Sequence, residues 1–103
     1  MTEQEFRLQA DLALEGVQKA LLPLADQEGF EVELQNGVLQ VIFEDPSPAK
    51  FVVSPNAPVR QVWLSALSRS YKLAWSAETS AFALDGETLP SLVERLARQH
   101  LAS

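Results

Sequence analysis

Carboxylates are the residues of this sequence best able to do chemistry. Fourteen Asp and Glu stand against eight Lys and Arg, with one histidine, His100, and no cysteine. The lack of cysteine rules out a thiolate nucleophile, a thiolate-held metal and a disulfide. A single imidazole argues against multi-histidine zinc or iron sites and against most nucleophile–histidine pairs. A metal bound here must be held mainly by oxygen, the donor that hard and borderline cations favour. The acids are also unevenly placed: residues 1–45 carry ten acids against two bases, and residues 46–103 carry four against six. Such polarity orients a molecule toward a cation or a basic partner. It argues against nucleic acid, which is bound through a basic patch. The plainer alternative is that many of these acids are simply solvated surface.

Arrangements that would make an enzyme are missing. Four glycines in the whole chain leave no phosphate-cradling loop. Glu31 and Glu33 are two apart on one strand face, a spacing common in solvated strands, with no pocket to separate their pKa values. His100 falls on an apolar stripe near the end of the last helical segment, where a structural role or a contact with the helix C-terminus is expected. No catalytic residue is assigned.

The elements that must position these groups follow from periodicity. At 103 residues and 47 % hydrophobic, the chain has room for one domain with one core. No run approaches the roughly 18 apolar residues of a membrane span, and MTEQEF lacks the basic-then-apolar pattern of a secretory signal, so a cytoplasmic chain is expected. Residues 3–25 read as a helix whose stripe is Phe6, Ala10, Ala13, Val17, Leu21 and Leu24. Thr2 and Glu5 fit a capping box at its start. Pro23 predicts an end or bend near Leu22. Leu8, Leu12 and Leu22 fall on the outer side, as scattered exposed leucines or as a partner or self-association surface; a monomer is expected.

Phe30-Glu31-Val32-Glu33-Leu34 alternates strictly, and Asn36-Gly37 signals a tight hairpin into Val38–Glu44, with Leu39, Val41 and Phe43 inward. Asp45-Pro46-Ser47-Pro48 breaks the run before a third strand at residues 49–53, and residues 54–58 read as a loop. Further strands are expected at residues 61–64, 71–75 and, more weakly, 81–84, with residues 68–70 as a turn. A final helix starts near Thr88, tolerates Pro90 in its first turn, and buries Leu89, Leu92, Val93, Leu96 and His100. The expected architecture is α+β, a two-layer α-β sandwich. N- and C-terminal helices pack on one face of a five- to six-stranded antiparallel sheet, leaving the other face to solvent or a partner. Alternation along Gln61-Val62-Trp63-Leu64-Ser65 turns Val62 and Leu64 inward and Gln61, Trp63 and Ser65 outward. An outward Trp on an uncovered sheet is a candidate anchor for a protein partner. Alternatively, Trp63 merely packs on outward neighbours such as Val52 or Lys72.

The string Gln61-Val62-Trp63-Leu64-Ser65, preceded by Asn56-x-Pro58, resembles the signature strand of the frataxin family, in its bacterial, CyaY-type branch. Other landmarks fall in the family's order: Glu5-Phe6 with Ala10-Asp11, Asn36-Gly37-Val38-Leu39, Phe43-Glu44, Tyr71 with Trp75, and Asp85-Gly86-Glu87-Thr88-Leu89 with Leu92 and Val93. The resemblance spans essentially the whole chain. It implies a non-enzymatic accessory protein of iron–sulfur cluster assembly, one that binds a cysteine desulfurase and its scaffold protein and regulates sulfur delivery. It also implies weak iron binding at an acidic ridge along the first helix and first strand. Residue by residue, matching carboxylates stand at Glu3, Asp11, Glu31 and Glu33, with Asp26 and Glu28 nearby; these six are the candidate iron ligands. Gln61, Trp63 and Ser65, with Lys72 beside them, are the candidate partner-binding residues. The sequence departs from the pattern at Gln18, Lys19, Leu22 and Pro23, where relatives cluster acids, and at Ser54, where an Asn is usual. The thinned ridge shifts weight from iron handling to partner binding. Two other readings stay open: an iron carrier or store with ferroxidase activity, and a fold-sharing adaptor for another partner.

Overall fold

The computed structural model describes residues 1–103. A long helix, α1 (Glu3–Glu28), leads into seven strands and a closing helix. The strands are β1 (Glu31–Gln35), β2 (Val38–Phe43), β3 (Ala49–Asn56), β4 (Gln61–Ala66), β5 (Arg69–Ser76), β6 (Ala81–Leu84) and β7 (Glu87–Thr88), and the closing helix is α2 (Leu89–Leu101). They form one antiparallel sheet in which spatial order equals chain order, β1 to β7. Alternation turns Leu39, Val41, Phe43, Phe51, Val53, Val62, Leu64, Leu73 and Phe82 to one face, where all are buried. Against them pack Phe6, Ala10, Leu14, Val17, Leu21, Leu24 and Ala25 of α1, and the apolar stripe of α2.

Several elements run further than the sequence predicts. Helix α1 does not stop or break at Leu22; it passes through Pro23 to Glu28. Pro23 lies on the exposed side of the helix, where the hydrogen bond that its missing N–H cannot give costs least. Burial of Leu24 and Ala25 beyond it repays the remaining turn. Gly29, at φ 81°, ends the helix by giving its N–H to the Ala25 carbonyl at 2.8 Å. Leu14, rather than Ala13, belongs to the fully buried stripe, and Ala13 is half-buried.

Residues 54–56, expected as loop, extend β3 and pair with β4 through Ser54↔Trp63, Pro55↔Val62 and Asn56↔Gln61. The β2 ladder reaches only as far as Val53, so Pro55 sits where β3 has become an edge and its missing donor costs nothing. Strand β5 begins at Arg69 because the turn is only Leu67 and Ser68, both with positive φ (51° and 63°). The seventh strand is Glu87–Thr88, paired with β6 before Thr88 opens α2; Thr88 caps α2 by position, without a side-chain hydrogen bond. The capping box of Thr2 and Glu5 is present on α1.

His100 is buried on α2, where its ring lies 4.7 Å from that of Phe43 and Nε2 donates to the Ser47 carbonyl at 3.0 Å. It thereby ties the β2–β3 loop to the last helix, a structural role.

The short β7 is tied to α2 by Arg95, which donates Nε and Nη2 to the two carboxylate oxygens of Glu87, each at 2.9 Å. These hydrogen bonds, helped by the guanidinium charge, hold the Glu87 carboxyl below its ordinary value of 4.5. A lowered folded pKa means the pair stabilises the fold above the ordinary glutamate range and ceases to as pH falls through the lowered value. Arg95→Gln is expected to move the Glu87 titration upward in an NMR pH series, and an unmoved midpoint would refute the pairing.

Candidate interaction face

Both helices cover one side of the sheet, so any contact made by the sheet itself falls on the other side. On β4, Trp63 is 37 % exposed, the most accessible aromatic on a strand otherwise alternating with buried neighbours. Its indole Nε1 donates to Gln61 Oε1 at 2.9 Å, and Lys72 Nζ stands 4.9 Å from the ring centroid. Gln61 therefore meets the ring at its Nε1 edge by a hydrogen bond, and Lys72 meets its face by a cation–π contact. Trp63 pairs directly across from Lys72 on β5 and from Ser54 on β3. Beside it lies a shallow depression of about 200 Å³ lined in part by Val52, Ser54, Ser65, Ser70 and Lys72. All four predicted contact residues, Gln61, Trp63, Ser65 and Lys72, thus share one surface. Ser70 escapes sequence reasoning because residues 68–70 read as a turn, whereas the turn ends at Ser68 and Ser70 already lies on β5.

The carboxylates separate into two groups. Glu31 and Glu33 are exposed on edge strand β1, and pairing carries them onto the same open face as Trp63. One row runs Glu33, Gln40, Val52, Ser65, Ser70; another runs Glu31, Ile42, Lys50. The acidic strand edge and the Trp63 patch are therefore one continuous surface, acidic at β1 and carrying Lys50 and Lys72 further in. Asp26 and Glu28 sit in the last turns of α1, just before that edge.

Glu3 and Asp11 lie apart from them, earlier on α1. Glu3 is paired with Arg7 at 3.3 Å, and Asp11 borders a crevice between α1 and the β1–β2 turn. No three acidic or imidazole side chains converge closely enough to hold one ion. The six candidate ligands thus do not come together as one chelating centre. Displaced pKa values occur elsewhere. Glu87 and Arg95 owe theirs to each other, and Glu5 is lowered chiefly by the backbone N–H of Thr2 that it caps. No helix is long and apolar enough to cross a membrane.

A frataxin-like domain model matches residues 1–103 of the chain. The iron-sulfur cluster assembly protein CyaY of Janthinobacterium sp. (strain Marseille) is 30 % identical over 102 residues, covering 96 % of this chain and 90 % of that protein. The CyaY protein of Pseudomonas fluorescens (strain SBW25) is 33 % identical over 104 residues, covering 97 % of this chain and 89 % of that one. The solved structure of frataxin from Psychromonas ingrahamii superposes with a TM-score of 0.70 over 96 % of this chain and 90 % of its own, at 16 % identity. That similarity concerns the fold, and it matches the two helices laid on one side of an antiparallel sheet. Pattern, architecture and whole-length similarity agree: the chain belongs to the frataxin-like family in its CyaY branch, whose members are non-enzymatic proteins of iron–sulfur cluster assembly.

Proposed function

We propose that this chain acts in the cytoplasm as a docking regulator of iron–sulfur cluster assembly. In this reading it binds a cysteine desulfurase and its scaffold protein through the continuous face that runs from Glu31 and Glu33 to Gln61, Trp63, Ser65 and Lys72. The observation that carries the proposal is Trp63, a large exposed aromatic that contacts Gln61 and Lys72 on a sheet face that no helix covers. These two contacts lower the ordering cost of covering the ring, which favours its use as an anchor. The acidic strand edge gives such a contact polarity, steering a basic partner surface into register and making association sensitive to salt. The test is binding of the purified chain to purified cysteine desulfurase with and without its scaffold protein. Binding that weakens as salt rises is expected; no binding at low salt refutes the proposal.

Iron enters this reading as a weakly held surface ion. Anaerobic Fe²⁺ titration followed by NMR is expected to perturb the amides around Asp26, Glu28, Glu31 and Glu33, and to saturate only at millimolar metal. Saturation at micromolar metal would favour an iron carrier or store instead.

A further inference from the structure

The outer side of α1 carries a pattern that the fold does not use. Leu8, Leu12 and Leu22 are 59 %, 50 % and 45 % exposed, three of the largest exposed apolar side chains in the molecule. They are not scattered. Leu8, Leu12, Glu15, Lys19, Leu22 and Asp26 follow one another at alternating steps of four and three, all exposed and all inside α1. This is the spacing of a seam between two helices, and it lies opposite the stripe that α1 buries in its own core.

The order along that seam is self-complementary. Two such helices laid antiparallel about an axis near Val17 put Leu12 opposite Leu22 of the second copy, and Leu22 opposite its Leu12. The same register puts Glu15 opposite Lys19 of the second copy, twice by symmetry, and brings Asp26 alongside Leu8 and Arg7. A parallel pairing would instead set Glu15 against Glu15 and Lys19 against Lys19. Within one chain Glu15 and Lys19 form no ion pair with each other or with any other group, so both charges are available. Apolar and charged positions thus specify the same partner in the same orientation.

We propose that α1 is the interface of an antiparallel homodimer, with a second copy of this chain covering Leu8, Leu12 and Leu22. The inference is independent of the docking reading. The seam faces away from the sheet, so dimerisation leaves Trp63 and the β1 edge open. Affinity is set low by two features. The seam from residue 8 to 26 is only about 27 Å long, at 1.5 Å per residue, and α1 carries six acids against two bases, so two copies repel at long range. A dissociation constant of about 0.1–1 mM is expected, in the range of small interfaces.

The test is sedimentation equilibrium of the full chain from about 10 µM to 1 mM, a range bracketing that constant. Average mass is expected to rise from 11.4 kDa toward the dimer. Leu12→Gln and Leu22→Gln should abolish the rise while far-UV circular dichroism stays unchanged. Glu15→Lys should weaken association at least about tenfold by facing Lys19 with a like charge, and the swap Glu15→Lys with Lys19→Glu should restore it. A constant monomer mass at 1 mM overturns the proposal. So does a dimer indifferent to both leucine substitutions, or a charge swap that fails to recover what Glu15→Lys loses.

Discussion

Phe43→Ala is expected to lower the free energy of unfolding by about 3–5 kcal/mol, as large-to-small aromatic changes in a closed core do. Phe43 is 2 % exposed, and its ring centroid lies 4.7 Å from Phe30, 5.1 Å from Phe51 and 4.7 Å from His100. It joins Phe30 in the α1–β1 connection, β3 and α2 through a single ring, so the hole left behind is bounded by elements that cannot all move in. A domain of this size has a total stability of about 5–15 kcal/mol, so the variant forfeits a large part of it. Urea unfolding checks the claim: the midpoint should fall by about 2 M or more while the slope stays the same. A loss under about 1 kcal/mol would show that the site collapses around alanine and that the ring is not a keystone. Because His100 packs on Phe43 while holding the Ser47 carbonyl, hydrogen exchange should also rise in the β2–β3 loop.

The second large effect concerns binding. Trp63→Ala is expected to weaken association with the cysteine desulfurase by about 30-fold or more, the 2 kcal/mol typical of a buried aromatic anchor. Stability should change by no more than about 1 kcal/mol, since the ring is over a third exposed and rests on side chains, outside the core. Calorimetry or pull-down, paired with thermal unfolding, separates the two quantities. Lys72→Ala and Gln61→Ala should each give a smaller loss, because they contact the ring and do not replace it. Unchanged binding in Trp63→Ala would sink the docking face, however well the protein folds.

Much of the fold is legible in the amino-acid sequence, and the reasons differ by element. Strand alternation assigns Leu39, Val41 and Phe43 inward and Trp63 outward without help, because a period of two admits only two registers and one places every apolar residue in the core. His100 is readable as structural from its place on a helical stripe. Its acceptor, the Ser47 carbonyl, is not, because a contact spanning 53 residues has no local signal. Pro23 misleads because local preference argues for a stop, whereas the outcome depends on which side of the helix it occupies and on what Leu24 and Ala25 bury beyond it. Residues 54–56 mislead for a similar reason. Whether a proline ends a strand depends on where the neighbouring strand ends. The candidate site divides in the same way. Gln61, Trp63 and Ser65 can be grouped from one strand, but the continuity of Glu31 and Glu33 with that patch depends on pairing across four strands. Spacing alone cannot reveal that the six carboxylates fail to converge.

The sheet whose spatial order equals its chain order also bears on how the molecule forms. Every ladder joins consecutive strands, so each can zip from a short turn, and the entropy of closing a loop stays small at each step. Such local topology favours rapid, hairpin-by-hairpin assembly. The distant event is the docking of α2 beside α1, two helices separated by the entire sheet. Substitutions in α2 such as Leu92→Ala should therefore speed unfolding more than they slow folding, whereas those at the Asn36-Gly37 turn should act mainly on the folding rate.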